Sequence, residues 1–421
     1  MKKLLIAAFV ALTLCGCSVR QAAAPEPEVP SDYYAGVLRM YPFKELVRET
    51  PPKGYKPFMI SHYGRHGARF HGDDTQGEKV YAVLDSAHRN EHLTQLGEEL
   101  YNYIGTFYQL YEGHAAELTE KGRLQHRELA HRMWDAYPEV FGSKPEITAA
   151  ATLVPRVILS MGAFCDGLKD RDPSLWVLQR SNQTDVIDLA PHQLIPDFKG
   201  KERISWAAAR EFGLEHIPTE AFLERIFGDS DYAIPSYPSA VSFMRNVGYL
   251  LSNAPCLDVE LPEAPKVFSY EELERIWEVD NTVHYQNYGL CPGTSFVPQM
   301  RPLLDGIISQ AEDDMTSGKP AVRLRFGHDV DIMALLVLMQ AEGWTGSTGD
   351  IHEVKTVWQN WRIPMAANLQ FVFFRHPRKD EILLQVLLNE EPVTLPLEPA
   401  TGHFYFWKEF KNYYNETSRT D

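Results

Sequence analysis

Cysteine is scarce in this chain of 421 residues: there are five, and two of them, Cys15 and Cys17, fall within the first twenty positions. The remaining three, Cys165, Cys256 and Cys291, allow one disulfide at most, so the fold is not a bridge-stapled scaffold. A Cys256–Cys291 bridge is the expected pairing, because Cys165 lies inside an apolar helical pattern. Long apolar runs are equally few. After residues 4–14, none approaches the ~20 residues that a membrane-spanning helix needs. A basic surplus is missing too: 41 Lys and Arg stand against 57 Asp and Glu, a formal net charge of −16. That balance argues against nucleic acid as a partner. No internal repeat is visible.

The first stretch, "MKKLLIAAFVALTLCGCSVR", reads as an address label. Lys2 and Lys3 form a basic start, residues 4–14 an apolar run too short to span a bilayer, and small residues follow. The sequence Leu14-Cys15-Gly16-Cys17 resembles the lipobox of bacterial lipoproteins. That resemblance implies a signal peptide over residues 1–16, removed to leave a lipidated Cys17 as the first mature residue. Buried lipid holds by about 0.8 kcal/mol per CH2, so several chains anchor firmly. Residues 17–30, Pro-rich and polar, suit a semi-rigid spacer. The expected protein is therefore exported, lipid-anchored to a bacterial membrane and facing the periplasm or the cell surface. The anchor is its one expected membrane contact. Losing Lys2 and Lys3 with the leader deepens the net charge from −16 to −18.

The folded body carries three loops of one type. Phe58, Met59 and Ile60 form an apolar run of the kind that a strand buried on both faces shows, and "SHYGRHGARF" follows it. In "ITAAATLVPRVILSMGAFCDGL" a strand-like start runs into Pro155, which is favoured at a helix start; Arg156 then sits in the first turn, where backbone N–H groups favour anions. In "AVRLRFGHDVDIMALLVLM" an alternating strand gives way after Gly327 to an apolar helix, leaving His328 and Asp329 between the two. Ligands of open α/β sheets bind at the carboxyl ends of strands. The expected fold is α/β, a mostly parallel sheet flanked by helices, with its core over residues 31–165 and 293–421. A mostly helical cap over residues 166–292 is expected to be inserted in it. Near the C-terminus, "NLQFVFFR" and "ILLQVLLNEEPVTLPL" read as strands, the second a hairpin turning near Glu390 to Pro392.

An acidic protein that concentrates arginines in one loop needs them for something anionic. Arg65, Arg69 and Arg156 are suited to grip a phosphate ester bidentately. Neighbouring positive charge lowers the pKa of His66, keeping a ring nitrogen free as nucleophile. Asp329 supplies the acid for the departing oxygen, and His328 a further donor. A metal cluster of His62, His66 and His71 is the competing reading. It is disfavoured because no Cys or carboxylate adjoins these residues in the motif; His62 reads rather as a packed strand residue. Asp331 reads as a helix N-cap. Arg323 and Arg325 are expected to pair with acids, and Lys199, Lys201 and Arg203 to form a solvated surface patch. The glycines of "RHGAR" make no dinucleotide fingerprint.

"RHGAR", "ATLVPRVILSMGAF" and the later "HD" together resemble the histidine acid phosphatases, the larger branch of the histidine phosphatase superfamily. The likeness runs from about Phe58 to the C-terminal strands. It implies that His66 is phosphorylated, that Arg65, Arg69, Arg156 and His328 hold the phosphate, and that Asp329 protonates the leaving group. It implies no metal or other cofactor, and a small phosphate monoester as substrate. Multiple inositol polyphosphate phosphatases of this family typically carry His-Ala-Glu where this chain has His328-Asp329-Val330, the form of general acid phosphatases and histidine phytases. The lipoprotein leader and the opening motif look more like bacterial relatives of the inositol polyphosphate enzymes, so phytate is included among the expected substrates. Two other readings stay open: a phosphoglycerate mutase-like enzyme of the small branch, and a tethered phosphate-binding lipoprotein without turnover.

Overall fold

The structure, a computed structural model, describes residues 31–259 and 261–417. The expected signal peptide over residues 1–16, the expected lipidation site at Cys17 and the expected linker over residues 17–30 lie outside the described residues. Eight strands form one sheet: β1 (Lys56–Arg65), β2 (Glu146–Ala151), β3 (Val177–Arg180), β4 (Ala321–Gly327), β5 (Asn368–His376), β6 (Lys379–Leu388), β7 (Glu391–Pro392) and β8 (Tyr405–Phe406). Their order is β3-β2-β4-β1-β5-β6-β7, with β8 also on β6. The first four run parallel, and β5 and β6 are antiparallel additions. The expected α/β class with a largely parallel sheet is what the chain adopts.

Central strand β1 is buried from Pro57 onward, because both faces of the sheet are covered. Alternation divides its side chains: Met59 and Tyr63 join a core with Leu303, Leu336 and Phe371, while Ile60 joins the opposite core with Phe164, Val322 and Phe326. Helices cover the two faces. In chain order they are α1 (Asp74–Arg89), α2 (Gln95–Tyr111), α3 (Glu120–Ala136), α4 (Pro138–Gly142), α5 (Pro155–Arg171), α6 (Phe198–His216) and α7 (Glu220–Phe227). They continue as α8 (Ala240–Asn253), α9 (Tyr270–Tyr288), α10 (Arg301–Ser317), α11 (Asp329–Leu338), α12 (Val354–Val357) and α13 (Trp407–Thr417). The hairpin between β6 and β7 turns at Asn389 and Glu390, both with positive φ (50° and 70°), as a two-residue turn between twisted strands requires.

Three expectations need correction. The helical cap does not begin at residue 166: α5 runs on to Arg171, and β3 is a strand of the main sheet, parallel to β2. The cap also draws in residues from the expected core, since Leu84, Leu100, Ile104 and Phe107 of α1 and α2 share one apolar cluster with Phe212, Phe222, Phe243 and Val279. Periodicity identifies such helices but does not say which core they join. Cys256 and Cys291 are not bridged. Cys256 is buried beside Leu38, Ala68 and Met365, with its thiol on the Leu38 carbonyl at 3.5 Å, while Cys291 packs against a different core; Cys165 is buried and free as well.

Candidate active site

Three strands deliver the chemistry. β1 ends at Arg65, β2 leads into α5 with Pro155 and Arg156 as its first residues, and β4 leads into α11 with His328 as N-cap and Asp329 first in the helix. All three ends lie on the same edge, because β1, β2 and β4 are parallel neighbours. The first turns are largely closed: in α5 Pro155 brings no N–H and the Val157 N–H donates to the Val154 carbonyl (2.9 Å), and in α11 the Val330 N–H donates to Asp329 Oδ1 (3.0 Å) while His328 and Asp331 form a capping box. An anion at this edge must therefore be held mainly by side chains.

The loop after β1 is fixed by its glycine. A Cβ on Gly67 would meet the backbone of Gly122 in α3, 2.7 Å from its Cα and 2.8 Å from its carbonyl carbon, so only a glycine pair lets these backbones approach. Around that contact, the Gly67 N–H donates to Ser160 Oγ (3.1 Å) and the Ala68 N–H to Gln125 Oε1 (2.8 Å), while Thr119 Oγ1 donates to the Ala68 carbonyl (3.0 Å). His66 Nδ1 lies 2.9 Å from the Gly67 carbonyl oxygen. That oxygen can only accept, so Nδ1 carries the proton and Nε2 keeps its lone pair.

Arg65 is almost fully buried. Its Nη1 donates to the carbonyls of Val37 (2.7 Å) and Ile363 (2.9 Å), and its Nη2 stands 3.0 Å from Asp329 Oδ2. The His66 and His328 rings meet edge to face with centroids 5.9 Å apart. The Nε atoms of Arg65, Arg69 and Arg156 and Nε2 of His328 are buried without a hydrogen-bond partner. Buried donors left unpaired cost about 1–3 kcal/mol each, and an anion would satisfy them together.

The charges explain the protonation states. Burial, then Arg65, Arg156 and Arg69, hold His66 well below the usual histidine pKa, so the ring is neutral. Burial and Arg69 bring Arg156 down to about 10, so it stays charged at neutral and acidic pH. His328 falls to about 4, chiefly through burial, with Asp331 opposing and His192 and Arg156 assisting. Burial pushes the Asp329 carboxyl up, but Arg65, with His284 and His328, outweighs it and holds the group below the usual carboxylate range. Asp329 is therefore ionised before substrate arrives. The pocket then contains three guanidiniums, one carboxylate and two neutral imidazoles.

The structure thus brings together His66, Arg65, Arg69, Arg156, His328 and Asp329. It places other candidates elsewhere. His62 is buried between Phe164 and Phe326, its pKa lowered to about 3 by burial and His126. His71 lines the neighbouring cleft. Among the described residues no group of three His, Cys, Asp or Glu is placed to hold a metal ion. Asp331 does cap α11, but from its third position: Oδ2 accepts from the His328 N–H (3.1 Å) and from Tyr63 Oη (2.7 Å), and Oδ1 meets His192 Nδ1 at 2.8 Å. Arg323 pairs with Asp314 and Glu146 as expected. Arg325 does not pair with an acid; it donates to Ser61 Oγ at 3.0 Å. Lys199, Lys201 and Arg203 are not among the cleft lining.

Sequence reasoning missed Tyr63, His192 and His284. Tyr63 is a buried residue of β1 like its neighbours, and His192 lies in the short helical turn Pro191–Leu194, where no periodicity marks it. His284, on α9, lines the cleft and faces Asp329.

No protein-family model matches the sequence, and a search of curated proteins gives no match. Solved structures match in fold. A multiple inositol polyphosphate phosphatase from Bifidobacterium longum, in complex with inositol hexasulfate, superposes with a TM-score of 0.74 at 16% identity, covering 90% of this chain and 97% of that one. The phytase from D. castellii gives 0.68 at 14% identity, covering 95% and 88%. A phytase from Klebsiella sp ASR1 gives 0.51 at 16%, covering 88% and 96%. The chain shares the fold of histidine phosphatase phytases.

Proposed function

We propose that this chain is a histidine-dependent phosphomonoesterase. The observation that carries the reading is a buried, neutral imidazole ringed by three arginines and a single carboxylate, a site whose charge suits a dianionic phosphate ester. In the first step His66 Nε2 attacks phosphorus, the ester P–O bond breaks, and the departing alcohol oxygen takes the proton of Asp329. In the second, water attacks the phosphohistidine, Asp329 takes its proton, the N–P bond breaks and inorganic phosphate leaves. Arg65, Arg69, Arg156 and His328 hold the phosphoryl oxygens in both steps, so the charge they neutralise does not have to be built up afresh in the transition state.

Asp329 is ionised at rest yet must donate a proton. The bound dianion provides for this: it engages the guanidiniums and places negative charge beside the carboxylate, raising its pKa. Activity is therefore highest at mildly acidic pH. Inositol polyphosphates belong among the first substrates to be tried, given the resemblance of the motifs and the shared fold. The leader supports export with a lipid anchor at Cys17.

Quenched single-turnover reactions with a labelled phosphomonoester test the chemistry. Label bound to the protein through an acid-labile, base-stable linkage is expected in the native chain and absent from His66→Ala. Turnover retained by His66→Ala removes the assignment. For the anchor, Cys17→Ser is expected to move the protein from the membrane fraction to the soluble one; unchanged fractionation removes lipidation at that residue.

A further inference from the structure

The phosphate pocket opens into a cleft of about 590 Å3 between the sheet edge and the helical cap, and the alcohol carrying the phosphate must occupy it. Arg69 and Asp329 belong to the phosphate pocket. Beyond them, the charged lining is Arg210 and Arg245 against Asp73 and Asp280, a formal sum of zero. Arg245 is already committed: its Nη2 lies 3.0 Å from Asp280 Oδ1, both side chains are largely buried, and the Tyr249 hydroxyl shares the pair. Asp73 caps α1, accepting from the Thr75 N–H (2.9 Å) and hydroxyl (2.8 Å). Burial and Arg69 lower the His71 pKa to about 4, so this ring adds no charge near neutrality. Of the two arginines beyond the phosphate pocket, Arg210 is the one without a carboxylate partner among the described residues.

The rest of the lining is uncharged or aromatic apart from the His284 ring: Gln76, Ser242, Asn246 and Asn360 supply neutral polar groups, and a row of aromatic rings supplies flat surface. Trp206, one turn before Arg210 on α6, is 42% exposed and, among the described residues, stacks on no other ring. Trp277, Tyr249 and Tyr34 continue the wall. A polyphosphorylated ring fits this surface poorly. Each phosphate brings about 1.5 to 2 negative charges, so a hexakisphosphate with one group in the pocket would carry about eight to ten into a lining that offers one free guanidinium. Moving charge out of water without partners is expensive.

Resting on the phosphatase reading above, we infer that the cleft selects phosphate monoesters of an uncharged alcohol bearing a flat ring, held against Trp206, over polyphosphorylated rings. Adenosine 5′-monophosphate, ribose 5-phosphate and inositol hexakisphosphate serve as probes. The adenosine ester is expected to exceed the hexakisphosphate in kcat/KM by about ten-fold or more. Trp206→Ala is expected to lower kcat/KM for the adenosine ester about ten-fold, mostly through KM, as loss of one ring-stacking contact does, and to leave ribose 5-phosphate within about two-fold. Asp280→Asn, which releases Arg245, narrows the gap between the adenosine ester and the hexakisphosphate.

The same ranking is read by calorimetric binding to His66→Ala, which needs no turnover. Absence of hydrolysis by the native chain would therefore count against the phosphatase reading alone, while the binding order still decides this inference. Tighter binding and faster turnover of the hexakisphosphate overturn it, and so does a Trp206→Ala effect equal on the adenosine and ribose esters.

Discussion

Gly67→Ala is the smallest change that tests whether the His66 loop is held by backbone-to-backbone contact. The added methyl lies 2.7–2.8 Å from two backbone carbons of Gly122, whereas carbon atoms rest at about 3.5–4.0 Å. The loop and α3 must therefore separate by roughly 1 Å, and neither neighbour is a flexible side-chain end. Three hydrogen bonds bracket the contact, from Gly67 to Ser160, Ala68 to Gln125 and Thr119 to Ala68, so the displacement is resisted on both sides. Forced insertion of this kind typically costs about 1–3 kcal/mol. It also shifts the Gly67 carbonyl that orients the His66 ring, and a 1 Å misplacement of a reacting group costs about 10²-fold in rate. Gly162→Ala is the control: it lies in α5, the helix that carries Arg156, and a Cβ there meets nothing within 4 Å. Alanine at that position is expected to stabilise by about 0.5–1 kcal/mol. Thermal melts and kcat/KM on p-nitrophenyl phosphate read both. A Gly67→Ala protein with native melting and native rate would refute the argument from close approach.

Asp329→Asn is expected to lower kcat about 10²–10⁴-fold on alkyl phosphates and less on p-nitrophenyl phosphate, whose leaving group needs no proton. It should also flatten the decline of activity above neutrality; equal losses on both esters would sink Asp329 as donor. His62, with a folded pKa of about 3 against about 6.5 unfolded, binds its proton more readily in the unfolded chain. Its stabilising contribution is thus present above pH ~6.5 and lost as pH falls toward 3. Chemical unfolding across that window should show a shallower acid slope for His62→Gln; an unchanged slope rejects the assignment. Asp331→Ala leaves His192 buried without its partner and removes the acceptor of the His328 N–H and the Tyr63 hydroxyl. A loss of about 3–5 kcal/mol is expected, together with weaker phosphate binding by calorimetry.

How far the site was legible follows from where each signal lies in the chain. Strand-to-loop-to-helix transitions are local: an apolar run, a glycine or proline, then a helical period. Each of the three site loops therefore announced itself within about twenty residues, and the parallel sheet followed from strands buried on both faces. Residues that act through long-range contacts left no such mark. Arg65 is positioned by the carbonyls of Val37 and Ile363, from opposite ends of the chain, and a backbone carbonyl has no residue identity to read. The Tyr63–Asp331–His192 cluster joins β1, α11 and the Pro191–Leu194 turn, and each member alone has an ordinary local explanation. Cap and core membership was misassigned for the same reason: α1 and α2 have the amphipathic pattern of any helix, and only the packing of Phe107 and Phe222 into one cluster decides. Motif chemistry can be read locally because reacting groups must be of particular types; what surrounds the leaving group need only have a shape and a charge sum. That asymmetry is why the residues gathered around His66 could be picked out one by one, while the lining of the cleft beside them, with Arg245 neutralised by Asp280, had to be seen.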